Sequence, residues 1–249
     1  MRRIVLFGLA LIAAVPAPAI ALADIGPQAA SAPAAEALAL ARLMSPRDLL
    51  VDMEVREFDK HFVSSLGAEP DMKSLDDKYP GLFEAMHKAS RILVAEAMAR
   101  SVDKIQISVA KLIETSFTAA DIIELNHFYR SPTGQKTIQQ MAASADASQI
   151  YQRAVEEQEF KLTEEQIASQ VRANARKAAE TFTPEEQTQM LLFMARPSFA
   201  KLAKAQPQIQ KILADEFNAP DAAFDKQVEE AMAAAIERHI ASFDKTDGK

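Results

Sequence analysis

The chain has no cysteine and no tryptophan, and only 6 glycines and 4 histidines in 249 residues. Without cysteine there is no disulfide and no thiol nucleophile, so stability has to come from core packing. Lipid attachment at a cleaved leader also needs a cysteine and is excluded with it. With glycine so scarce there is no phosphate-cradling glycine loop and no Gly-x-Ser-x-Gly nucleophile elbow. An excess of positive charge is missing too: 28 Lys and Arg stand against 35 Asp and Glu, a formal net charge of −7. That removes the basic footprint nucleic-acid binding requires and disfavours docking on anionic lipid headgroups. Alternating β-branched residues are nearly absent, and no apolar run beyond the N-terminal region approaches the roughly 20 residues of a membrane span.

What is present starts with an address. Arg2 and Arg3 precede an apolar stretch over Ile4–Val15, Pro16 and Pro18 interrupt it, and Ala21-Leu22-Ala23 is a small-x-small cleavage pattern. The stretch is too short to span a bilayer and reads as a secretory signal peptide over residues 1–23. The longer context of a twin-arginine signal is missing around Arg2-Arg3, which favours ordinary secretion. Losing Arg2 and Arg3 takes two positive charges from the formal −7, to −9. The expected location is the periplasm, with release into the medium as the alternative. Residues 24–35 are rich in Ala and Pro and read as a flexible leader.

The rest, residues 36–243, reads as one helical domain, because Ala, Glu, Gln, Lys, Leu and Met dominate it. The expected fold is all-α: antiparallel helical hairpins in a bundle, with two related units as one arrangement. Ser45-Pro46-Arg47-Asp48 has the form of a capped start, and Val51, Val55, Phe58, Phe62 and Leu66 form the stripe that follows. Residues 67–80 read as a polar connection. Leu82–Ser116 carries neither Pro nor Gly, and Ser101 and Ser108 are the places for a break. Thr118 with Asp121 has capping-box spacing, Phe182-Thr183-Pro184-Glu185-Glu186 has the form of another capped start, and Thr163-Glu-Glu-Gln166 is a place for a restart inside the charged helical stretch 147–181. Pro207 is expected to kink or break the helix opened by Pro197, Asn218-Ala-Pro220-Asp221 to start the last helix, and residues 244–249 to form a disordered tail.

Shifting the chain by 65 residues superposes Phe117, Thr118, Phe128, Pro132 and Lys136 on Phe182, Thr183, Phe193, Pro197 and Lys201. Asp121 meets Glu186 and Leu125 meets Met190. Two capped helices ending at a proline look alike in any case. The alternative is a degenerate second copy of one unit over about 150–215.

The strongest local signature is Phe128-Tyr129-Arg130-Ser131-Pro132-Thr133-Gly134-Gln135-Lys136. Phe128 and Tyr129 end one helix, Ser131 caps the next, and Pro132 sits in its first turn with φ already set. Gly134 leaves room for close approach of a ring or backbone. With the preceding Phe117-Thr-Ala-Ala-Asp-Ile-Ile-Glu-Leu, the segment resembles the bacterial domain of unknown function 2059, over a region of about 85–150. In the second copy Met194, Arg196 and Phe199 stand in place of the motif's Tyr, Ser and Gly. The resemblance implies a small exported helical domain and brings no catalytic residues. Phe128, Tyr129, Ser131, Pro132 and Gly134 are therefore read as a structural corner. Tyr129, Ser131 and Lys136 as a ligand cluster is the functional alternative.

Two Glu-x-x-His pairs, Glu84 with His87 and Glu124 with His127, have the spacing used by two-metal helical bundles. Ile122, Leu125 and Tyr129 mark the inner stripe of the second helix, which turns Glu124 and His127 outward. Neither a metal nor another cofactor is expected. Met86, Met98, Met141, Met190, Met194 and Met232 lie on or near apolar stripes and suit either core filling or an adaptable groove. The function expected is a non-enzymatic binding or interaction module of the envelope. Its partner would be an envelope protein or a hydrophobic ligand, not nucleic acid. The alternatives are a holdase or lipid-groove carrier, and a metal-dependent enzyme using the two Glu-x-x-His pairs.

Overall fold

A computed structural model describes residues 34–145, 148 and 162–246, with side chains placed up to Phe243. The signal-peptide reading and residues 24–33 of the leader lie outside the described residues. Among the described residues every regular element is an α-helix: α1 (Ala35–Met44), α2 (Arg47–Gly67), α3 (Pro70–Lys78), α4 (Leu82–Ser116), α5 (Ala119–Arg130), α6 (Pro132–Ala143), α7 (Glu164–Ala179), α8 (Pro184–Met194), α9 (Pro197–Asn218) and α10 (Ala222–Thr246).

The spine is α4, about 52 Å long at 1.5 Å per residue. It is unbroken at Ser101 and Ser108, because Ser101 is buried with Val102 and Ile105 on the packed face while Ser108 faces out. Its N-terminal half packs with α2 and α10 around Phe58, Phe62, Leu66, Phe83, Met86 and Met232. Its C-terminal half carries a larger core of Met98, Val102, Ile105, Val109 and Ile113, closed by side chains from α1, α5, α6, α7 and α9.

Several expectations change. Ser45 does not cap α2: its hydroxyl donates to the Ala41 carbonyl at 2.6 Å, and its carbonyl accepts from Gln106 Nε2 at 2.7 Å. It closes α1, and Pro46 takes the half-helical position before α2 with no side-chain cap. The connection over 67–80 contains α3, because Pro70 restarts a helix at its first turn and Met72 and Leu75 lean on the Phe58–Met86 core. Pro207 does not end α9. Ala205, Gln206 and Ile209 are buried around it, and this packing holds the helix through the lost backbone hydrogen bond. The last helix continues through Asp244–Thr246, where a tail was expected; residues 247–249 lie outside the described residues. Asp221 starts it, accepting from the Phe224 amide at 2.9 Å.

Candidate functional site

The corner between α5 and α6 is built as its sequence indicates. Thr118 and Asp121 form a reciprocal capping box: the Thr118 amide donates to Asp121 Oδ2 at 2.8 Å and the Asp121 amide donates to Thr118 Oγ1 at 3.3 Å. At the other end of α5, Ser131 Oγ accepts from the Gly134 amide at 3.1 Å and donates to the Phe128 carbonyl at 2.7 Å. Gln135 Nε2 donates to the Tyr129 carbonyl at 2.5 Å. Gly134 lies directly against the end of α5. A Cβ there would stand 2.9 Å from the Phe128 carbonyl carbon and from Tyr129 Cα, and closer still to the carbonyl oxygen. It is backbone, not a ring, that needs glycine here.

Tyr129 is 1% exposed, and among the described residues its hydroxyl has no hydrogen-bond partner. Burial alone pushes this phenol well above its ordinary range. Lys136 does not join Tyr129 and Ser131 in a ligand cluster. Its ammonium donates to Glu186 Oε2 at 2.6 Å and to the Thr181 carbonyl at 3.1 Å.

That ion pair is half of a reciprocal set. Lys136 of α6 grips Glu186, the capping-box acid of α8, while Lys201 of α9 grips Asp121, the capping-box acid of α5, at 2.5 Å. Thr133 Oγ1 donates to Gln189 Oε1, and Ser198 Oγ donates to Glu124 Oε2 at 2.6 Å. Each residue in these pairs lies 65 positions from its counterpart in the other pair. At the centre the Phe128 and Phe193 rings stack 3.5 Å apart with planes 2° from parallel. The helices follow the same exchange: α9 packs on α4 and α6 packs on α7. Lys201 and Thr118 together hold the Asp121 carboxyl down at about 2, and Lys136 with the Thr183 amide lowers Glu186.

The second corner differs where its sequence differs. Arg196 gives α9 no side-chain cap. Phe199, in the place of Gly134, is buried edge-on to Phe193 with ring centres 5.1 Å apart.

The two Glu-x-x-His pairs are not brought together as ligands. Glu84 is exposed, and His87 stacks on Phe58 with Nε2 2.8 Å from Asp59 Oδ1. Glu124 is held by Ser198 and by Arg196 at 3.1 Å, while His127 is exposed. Among the described residues no group of three or more His, Asp or Glu side chains is placed to hold a metal ion. Met86, Met98, Met141 and Met232 are buried, and Met190 and Met194 pack partly against the core.

Beside the corner lies an open recess of about 720 Å³, lined by Glu36, Ile123, Asn126, His127, Arg130, Ser131 and Pro132. It exists because α1 lies across α5, with Asn126 Nδ2 donating to the Glu36 carbonyl at 3.3 Å. Asn126 Oδ1 is buried with no hydrogen-bond partner among the described residues. The recess is not legible in the sequence, because Glu36 and Asn126 stand 90 residues apart.

The family model described as an uncharacterised protein conserved in bacteria, domain of unknown function 2059, matches residues 103–157. Over those residues the chain is similar to that family. The matched region begins inside α4 rather than at residue 85, takes in α5 and α6 with the whole Phe128–Lys136 signature, and runs on past residue 150. The match stops before α7–α9, whose corner carries the Met194, Arg196 and Phe199 departures. Comparison with curated proteins and with solved structures returns no match.

Proposed function

We propose that the protein is a binding module of the bacterial envelope, acting through its surfaces rather than through catalysis. The observation that carries this reading is where the polar side chains of the family signature go. Ser131 caps, Lys136 and Asp121 clamp one helical unit to the other, and Gln135 ties α6 to α5. Groups engaged in fastening helices are not free to bind or transform a substrate. Recognition then falls to the helix faces and to the recess at Ile123, Asn126, His127 and Arg130. The Arg2-Arg3, Ile4–Val15 and Ala21-Leu22-Ala23 pattern supports export, and no described helix is long and apolar enough to cross a membrane.

Photo-crosslinking from position 127, combined with cell fractionation, tests this. The expected result is a periplasmic chain beginning at Asp24 that forms one discrete adduct with an envelope component. A chain retained uncleaved in the cytoplasm, or no adduct from position 127 or from any other surface position, would overturn it.

A further inference from the structure

One wall of the recess beside the α5–α6 corner is a single stripe of α5. Ile123, Asn126, His127 and Arg130 stand at i, i+3, i+4 and i+7 and follow one another over about 10 Å of helix. Along that stripe the chemistry runs apolar, amide, imidazole, guanidinium. Ile123 is 65% exposed. Arg130 is exposed, and among the described residues its guanidinium takes part in no ion pair or hydrogen bond. The C-terminal end of α5 and the N-terminal end of α6 meet beside it, so their dipoles offset and Arg130 sets the sign of charge there.

An independent observation comes from Asn126, which lines the same recess and is 5% exposed. Its Nδ2 is used on the Glu36 carbonyl at 3.3 Å, while Oδ1 is buried with no partner among the described residues. A buried amide oxygen left in this way is an acceptor that still lacks its donor. The first turn of α1 lies over Asn126 and carries no side-chain cap, so a small movement at Ala35–Glu36 opens Oδ1 to a ligand in the recess.

Resting on the reading of the chain as a binding module, we propose that the recess takes the C-terminal end of an extended peptide with an apolar residue third from its end. The free carboxylate sits on Arg130, whose planar fork suits it. Asn126 is four residues back, about 6 Å along the helix, which is the reach of two extended peptide residues. The amide N–H of the residue before last therefore lies level with Asn126 and supplies the donor that Oδ1 lacks. The side chain third from the end lies level with Ile123 and covers it. A fatty acid satisfies Arg130 and Ile123 but brings no N–H for Asn126. Glu36 lines the recess from α1, and its carboxylate selects against acidic side chains on the peptide.

Nuclear magnetic resonance titration of the isotope-labelled chain with acetyl-Leu-Ala-Ala bearing a free carboxylate tests this. The expected result is saturable movement of the Ile123, Asn126, His127 and Arg130 amide signals. Converting the peptide's carboxylate to an amide should weaken binding about tenfold or more. Arg130→Gln, at an exposed position where circular dichroism should not change, should weaken it equally and leave acid and amide peptides alike. An ester in place of the Leu-Ala amide removes the N–H without touching the protein and should also cost about tenfold. No binding of the free-acid peptide, equal binding of its amidated form, or undiminished binding to Arg130→Gln would overturn the proposal. So would an ester as good as the amide, or dodecanoate moving the same signals where the peptide does not, which would assign the recess to a fatty acid. The photo-crosslink uses no peptide probe, so a discrete envelope adduct without peptide binding would sink this inference alone and leave the binding-module reading standing.

Discussion

Phe128 and Phe193 stack face to face, 3.5 Å apart and within 2° of parallel, each ring at the same place in its own capped helix. Around them the two corners exchange partners: α6 supplies a lysine to the capping-box acid of α8 and a hydroxyl to Gln189 on the same helix, and α9 supplies a lysine to the capping-box acid of α5 and a hydroxyl to Glu124. The stack joins α5 to α8 beside the large core. Phe193→Ala should cost about 3–4 kcal/mol, and Phe128→Ala less because that ring is only half buried. The double variant should reveal a coupling of about 0.5–1.5 kcal/mol. Urea unfolding of the three variants measures it, and strictly additive losses would show that the rings do not act as a pair.

Gly134 should be irreplaceable even by alanine. A Cβ there enters the Phe128 carbonyl, and backbone cannot step aside as the end of a side chain can. Gly134→Ala should cost about 2–4 kcal/mol by forcing the corner open. At Gly67 the nearest atom to an added Cβ is Phe83 Cε2 at 3.9 Å, an ordinary contact. Gly67→Ala should stay within about 1 kcal/mol of the parent. Thermal melts of the two variants side by side decide the matter.

The Tyr129 hydroxyl is buried with no partner among the described residues, so removing it should not weaken the fold. Tyr129→Phe should be neutral or stabilising by up to about 1–2 kcal/mol. The phenol's folded pKa lies above its unfolded value. The stability linked to its neutral form is thus complete below about pH 10 and is lost as pH rises above it. The variant should lack that alkaline loss. A clear drop in stability at neutral pH would mean that the hydroxyl has a partner.

Asp121 carries the opposite linkage. Its folded pKa, about 2, lies below its unfolded value. The stability it contributes is present above about pH 4 and disappears as pH falls from there towards 2. Glu186 shifts in the same direction. Urea midpoints should therefore fall on acidification across that window. Asp121→Asn should lower the midpoint at neutral pH and flatten its acid dependence. Lys201→Met should do the same, because the ammonium is the largest cause of the shift. An unchanged acid slope in both variants would contradict the assignment.

The chain's helical character, the capped starts at Thr118 and Thr183, the restart at Thr163, and the Ser131-Pro132-Gly134 corner were legible in the sequence. So was the inner stripe of Ile122, Leu125 and Tyr129. Each rests on residues within one or two helical turns, where capping and 3.6-residue periodicity act. The misreadings share a cause. Ser45 has cap spacing towards α2, but its hydroxyl is taken by Ala41 behind it. Residues 70–78 look polar because α3 has no fully buried side chain. Pro207 is a helix breaker by propensity, and the packing of α9 overrides it.

The sequence by itself determined that this is a helical chain with a particular corner and with lysines and acids at matching positions, because those features follow from neighbours along the backbone. Only the tertiary structure decided that the matching positions reach across to each other's counterparts. The same holds for α1 covering α5 and for Leu191 and Leu192 remaining in water. Burial is a property of the assembled surface, and an apolar residue's sequence is the same whether a helix from far along the chain covers it or not.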